Sequence, residues 1–162
     1  MLKRKKKQKR AALKKKILQI KENIKKCKGP EQGVTLLAVS KGQSIEKVTL
    51  AVSMGLRFFG ENKVQEAEKK FFNKSPDTEL HLIGSLQSNK AKRAVSLFDV
   101  IQTVDSLKIA EKINNHAKEQ DKVQRVLCQI NIGNDPNKKG LTGSIKTTII
   151  EISKMKNIIL EG

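Results

Sequence analysis

Residues 34–62 read VTLLAVSKGQSIEKVTLAVSMGLRFFGEN, and this stretch decides the fold. It opens on VTLLAV (Val34–Val39), a nearly continuous apolar run of the kind found in a strand covered on both faces. Ser44 then stands where a helix N-cap is wanted, and Ile45, Val48 and Val52 share one face of the helix it would start. Gly55 ends that helix, and Leu56–Phe59 makes a second strand. Strand, helix, strand in quick succession is the pattern of a βαβ unit.

Working outward, the unit repeats. Val64, Ala67 and Phe71 mark a helix, Leu80–Ile83 a third strand, and residues 89–97 a further helix. Val100–Val104 is a fourth strand, followed by a helix with Ile109, Ile113 and Ala117 aligned. Gln124–Ile132 is the longest strand candidate, then Ile145, Ile149 and Ile152 define a helix, and Ile158–Leu160 begins a sixth strand. Serial strand–helix units imply an α/β protein with a parallel sheet and right-handed crossovers. Two closures compete, an open doubly wound sheet and a (β/α)₈ barrel. No G-x-G-x-x-G or G-x-x-x-x-G-K-[ST] follows the first strand, which weighs against the nucleotide-binding version. Polar residues instead follow several successive strands: Ser40-Lys41, Glu61-Asn62, Ser85, Asp105 and Asn131. In barrels the reactive groups gather on that rim. The expected fold is therefore a partial (β/α)₈ barrel of the TIM type, about five and a half βα units over residues 29–162, preceded by an N-terminal helix.

Upstream the composition changes. The chain has 162 residues and a formal net charge of +18, but residues 1–28 hold 14 of the 34 Lys and Arg and one acid, Glu22. MLKRKKKQKR (Met1–Arg10) is a like-charge block expected to repel itself into disorder. Leu13, Ile17, Ile20, Ile24 and Cys27 then form one helical stripe, stopped by Gly29-Pro30. The stripe is expected to pack on the domain, with weak polyanion binding by residues 1–28 as the further role of the cations. The absence of Trp and Tyr argues against specific nucleic-acid recognition by base stacking. No apolar run approaches the ~20 residues of a membrane span, and no apolar h-region follows the basic start. Two cysteines, Cys27 and Cys128, make neither a disulfide framework nor a four-ligand zinc site, which fits a reducing cytoplasm.

Lys41 closes the run LLAVSK (Leu36–Lys41) at the expected end of the first strand. A free amine with a pKa near ~10.4 is protonated at neutral pH and does not attack an aldehyde. At a barrel mouth, partial desolvation and neighbouring cations free its lone pair for Schiff-base chemistry. Outside such a mouth, a lysine after a strand is a solvated loop residue.

Five stretches taken together settle the context: LLAVSK, FGENKVQE (Phe59–Glu66), HLIGSLQSNK (His81–Lys90), IQTVDSLKIA (Ile101–Ala110) and QINIGNDPNKKGL (Gln129–Leu141). In order and spacing they resemble the pyridoxal phosphate homeostasis proteins, relatives of the alanine-racemase barrel. The resemblance covers nearly all of residues 34–162. It implies that Lys41 holds pyridoxal 5′-phosphate as an internal aldimine. It further implies that Asn62 lines the cofactor pocket, that His81 and Gln87–Lys90 lie near the same mouth, and that Lys138 is a basic position after strand five. Taken without the resemblance, Asn62 serves equally as a helix cap, His81 as a strand histidine, and Lys138 as a turn residue. His116 is assigned no role.

The function implied is non-catalytic: binding the small-molecule cofactor and balancing vitamin B6 pools. A racemase-like enzyme using the same lysine, and a basic interaction protein, are the alternatives. Two departures from the family matter. Gln43 stands where close relatives often carry a second lysine. The family's Ser-Met-Gly-Met-Ser turn and Arg-Ile-Gly stretch, which grip the phosphate, have no counterpart before Gly162. The 162-residue polypeptide is expected to be a truncated or split product or a fragment, with weakened cofactor binding and a tendency to associate.

Overall fold

Six parallel strands lie side by side in the order of the sequence. The structure, a computed structural model, describes residues 2–27, 29 and 33–162. The strands are β1 (Leu37–Val39), β2 (Phe58–Glu61), β3 (Glu79–Leu82), β4 (Val100–Val104), β5 (Gln124–Cys128) and β6 (Ile158–Leu160). The helices are α1 (Leu2–Cys27), α2 (Ile45–Ser53), α3 (Val64–Phe71), α4 (Ala91–Leu97), α5 (Leu107–Glu119) and α6 (Ile145–Ser153), with a 3₁₀ turn at Ser88–Lys90 before α4. A doubly wound sheet reverses its strand order part-way and carries helices on both faces. Here the order never reverses, and the helices pack on one face. This is the winding of a (β/α)₈ barrel, carried through six strands.

Alternation along each strand divides the sheet residues between two environments. Toward the helices point Phe59, Leu80, Leu82, Ile101, Val126 and Ile158, all buried in one apolar core with α2–α6. Phe59 packs against Phe71 of α3, with ring centroids 5.5 Å apart and the planes tilted by 53°. The opposite, inner face is partly polar. Phe58 meets the edge of His81 there, and Arg125 pairs with Glu79 at 3.0 Å and with Glu161 at 2.6 Å.

The helix starts follow local chemistry. Ser44 and Ser106 cap α2 and α5, accepting from the Lys47 and Ile109 backbone N–H groups. Some expected boundaries move. The first strand forms at Leu37 rather than Val34, because β1 pairs with β2 alone and its register starts at Leu37 opposite Phe58. The second runs Phe58–Glu61 to match β3, leaving Leu56 buried in the preceding turn. The fifth stops at Cys128, and Ile130 makes a single further bridge to Leu141.

The disorder expected for Met1–Arg10 is corrected for the described backbone: α1 begins at Leu2, not Ala11. Lys, Arg, Gln, Ala and Leu are all good helix formers, and no Gly or Pro interrupts them before Cys27. Salt limits the repulsion between their charges to about 10 Å. The stripe packs on the domain at its centre, where Ile17 is buried and Leu13 touches the core, whereas Ile20 and Cys27 are exposed. Pro30, half of the expected helix stop, lies outside the described residues.

Candidate functional site at the carboxyl ends of the strands

Lys41 follows β1 directly, and Asn62 follows β2, so pairing of these neighbouring strands brings the two to one rim. The Ser40 N–H donates to the Gly60 carbonyl at 3.0 Å, extending the pairing to the residue before Lys41. Gly42, immediately after it, has φ +68°, a left-handed turn that favours glycine. The Lys41 side chain is exposed and has no hydrogen-bond or ion-pair partner among the described residues.

Directly below Lys41 the inner face is apolar. Leu37 and Val39 of β1 alternate onto it, and Val39 is 52% exposed there. Gly60 keeps the floor low: a Cβ would stand 3.0 Å from Ile83 Cδ1 and 3.4 Å from Leu37 Cδ2. Gly84 lets the loop after β3 press on Asn62, since a Cβ would lie 2.7 Å from Asn62 Cα. Thr103, at the end of β4, donates to the Gly84 carbonyl at 2.7 Å and fixes that loop. Asn62 does not cap α3, whose N-cap is Lys63.

His81 sits lower, within β3. Its Nε2 lies 3.0 Å from Glu79 Oε1 and its Nδ1 2.8 Å from Gln102 Nε2, so both ring nitrogens are engaged. Burial pushes its pKa below the ordinary value, and Glu79 opposes that only in part. Lys138 belongs to the loop after β5, across the sheet from Lys41 and exposed, with its Nζ 3.6 Å from Asp135. That loop is organised by buried Asn131, whose Nδ2 donates to the Asp135 and Lys138 carbonyls. His116 contacts Glu119 on the surface of α5.

Sequence reasoning missed a cluster beneath Lys41. Lys70 of α3 donates to the Ser40 carbonyl, to Glu61 and to Glu66, and Glu61 also accepts from Ser40 Oγ. The i,i+4 spacing of Glu66 and Lys70 was its one visible signal. Among the described residues no His, Cys, Asp and Glu group is placed to hold a metal ion, and no helix is long and apolar enough to cross a membrane.

Comparison with known proteins identifies the family. Residues 13–162 match the model of the alanine racemase N-terminal domain. The chain belongs to that family. Within it, the chain is 40% identical over 154 residues to the pyridoxal phosphate homeostasis protein of Pasteurella multocida. It covers 66% of that protein, and 64% and 62% of the homologues of the same name from Vibrio alginolyticus and Buchnera aphidicola. Among solved structures it resembles PipY of Synechococcus elongatus with pyridoxal phosphate bound: TM-score 0.76, 32% identity, covering 87% of this chain and 66% of PipY. Alanine racemase of Clostridium difficile, at 23% identity and TM-score 0.68, shares the fold. The domain family's barrel thus accounts for the serial strand order seen here.

An aldehyde-bearing, phosphorylated pyridine needs an accessible amine, an apolar bed for the ring and cationic or N–H donors for the phosphate. Lys41 and the floor at Val39, Gly60 and Ile83 fit the first two requirements. Lys138 is a cationic group at the same end of the sheet.

Proposed function

We propose that the chain holds pyridoxal 5′-phosphate at the mouth over β1–β3, with Lys41 as the amine that engages its aldehyde, in a cofactor-keeping rather than substrate-converting role. The observation that carries this reading is Lys41 itself: an accessible amine at a strand end with no partner among the described residues, beside residues hydrogen-bonded into the sheet. When bound, the group supplies an electrophilic aldehyde and an electron-accepting ring. Asn62 then edges the pocket, Gly60 leaves room for a flat ring, and Lys138 offers a charge from the loop after β5. The names of the 36–40% identical relatives support the homeostasis role. An enzyme of racemase type would need a second acid/base facing Lys41. His81, on the inner face, has both ring nitrogens already committed to Glu79 and Gln102.

The test is reductive trapping. The 162-residue chain is mixed with pyridoxal phosphate, treated with borohydride and mapped by peptide mass. Label concentrated on Lys41, and lost without redistribution in Lys41→Ala, is the expected result. Label spread evenly over the 29 lysines would sink the reading.

For α1 we propose a separate, weak interaction with polyanions. Its continuity supports this, because 13 cations and one acid from Leu2 to Cys27 ride on a single helix, and among its described side chains only Ile17 is buried.

A further inference from the structure

Both residues flanking Lys41 are fixed by side chains of β2 and α3. Lys70 Nζ donates to the Ser40 carbonyl at 2.6 Å, to Glu61 Oε1 at 2.9 Å and to Glu66 Oε1 at 2.6 Å. Three donors, three acceptors: the ammonium is saturated. Ser40 Oγ donates to Glu61 Oε1 at 2.7 Å, and the Gly42 N–H donates to Glu66 Oε1 at 2.6 Å. The backbone is therefore tied down immediately before and after Lys41, while the Lys41 amine is left free.

This arrangement is not what packing alone would select. The Glu61 side chain is fully buried and that of Lys70 is 6% exposed, so an ammonium and a carboxylate have been withdrawn from water. Apolar residues of similar volume usually join a helix to a sheet at lower cost. They do so elsewhere on α3, through Val64, Ala67 and Phe71. Glu61 Oε2 is buried with no hydrogen-bond partner among the described residues. The buried Lys70–Glu61 pair lies where α3 meets the Lys41 turn. Burial alone would lower the Lys70 pKa, but the hydrogen bonds to Glu66 and Glu61 outweigh it and keep the ammonium charged. The Lys70 hydrogen bond, then that from Gly42, holds Glu66 below the ordinary carboxylate range.

We infer that Lys70 and Glu66 are positioning residues for Lys41: through the Ser40 carbonyl and the Gly42 N–H they fix the turn that aims its amine at the mouth. The inference rests on the reading of Lys41 given above. It accounts for how one lysine among 29 is made distinct without touching its side chain.

Glu66 is the residue to change, because its side chain is 31% exposed and its loss leaves the buried Lys70–Glu61 pair intact. Trapping with pyridoxal phosphate and borohydride is run on the 162-residue chain, with Lys47 and Lys63 as internal standards. Hydrogen exchange at the Gly42 amide and the thermal midpoint are followed in parallel. Glu66→Ala is expected to slow labelling of Lys41 about ten- to a hundredfold relative to the standards. It should also speed Gly42 exchange while changing the thermal midpoint little. Glu66→Gln keeps an acceptor oxygen and should restore most of the selectivity. Unchanged selectivity in Glu66→Ala, with Lys41 still preferred, would overturn the positioning role and leave the Lys41 reading standing. A wild-type chain with no preference for Lys41 would overturn both.

Discussion

The imidazole of His81 is held between Glu79 at 3.0 Å and Gln102 at 2.8 Å, and the sign of its titration follows from that setting. Burial is the largest influence and lowers its pKa from 6.5. Glu79 and Asp99 pull it back up, and Arg125 pushes it further down. The unfolded chain, with an ordinary histidine, therefore binds a proton at a higher pH than the folded chain does. Stability linked to this group is complete above about pH 6.5 and falls as pH drops through the lowered folded value. Urea midpoints should fall between pH 7.5 and pH 5.5, a window above the ordinary carboxylate range. His81→Gln should flatten that dependence while costing about 1 kcal/mol at pH 7.5 through an imperfect hydrogen bond. An unaltered pH slope in the variant would show that another group titrates. The residue scale is also where sequence reading was weakest. His81 and Lys41 are both visible as residue types, but the bonds that give them different roles are not. Lys70 reaches the Ser40 carbonyl across 30 positions, and Gln102 reaches His81 across 21. No local pattern encodes such contacts.

At the scale of elements the sequence is far more legible, for a physical reason. A strand or helix is specified by periodicity within a few residues, so Val100–Val104 and Ile158–Leu160 form at the boundaries that their apolar runs predict. Boundaries set by a neighbour are not local, and β1 and β2 shift to satisfy one another. The junction of β3 with the Asn62 turn belongs to the same class. Gly84 permits a close approach that its flanking residues do not announce, and a Cβ there would sit 2.7 Å from Asn62 Cα. Gly84→Ala should therefore destabilise the chain by about 1–3 kcal/mol through overpacking against backbone. Because the Asn62 turn must move, it should also slow Lys41 trapping. A midpoint within error of wild type would remove Gly84 from the site's framework. The helix α1 carries its own test. If its cations displace counterions from a duplex, log K should fall with log salt at a slope of about −5 or steeper. Replacing Lys3, Lys5, Lys6 and Lys7 by Gln keeps good helix formers and should reduce the slope by about 4. A salt-independent affinity would deny the electrostatic origin.

Over the whole molecule, the proposed site is weighted toward β1–β3. Six strands wind in barrel order, and the chain spans 62–66% of the length of the homeostasis proteins named above. The amine and its clamp lie at β1–β3. Inner-face residues such as Val39 and Ile159 are half exposed at the two flanks of the sheet. On the proposed reading Lys41 anchors the aldehyde and the exposed Lys138 is the cation offered to the phosphate, so the binding energy should come mainly from the aldehyde end. A complete phosphate cradle makes several charge-assisted hydrogen bonds of about 1.5–3 kcal/mol each, which together separate phosphorylated from unphosphorylated ligands by a thousandfold or more. The formal charge of +18 attracts any phosphate, but at 0.15 M salt that field is screened within about 8 Å. Trapping at Lys41 should accordingly distinguish pyridoxal phosphate from 5′-deoxypyridoxal, which keeps ring and aldehyde, by no more than about tenfold. Lys138→Ala assigns whatever preference remains. If the preference disappears, the loop organised by Asn131 supplies the phosphate contact. A preference above about a hundredfold that survives Lys138→Ala would instead require a phosphate cradle built from other residues of these six βα units.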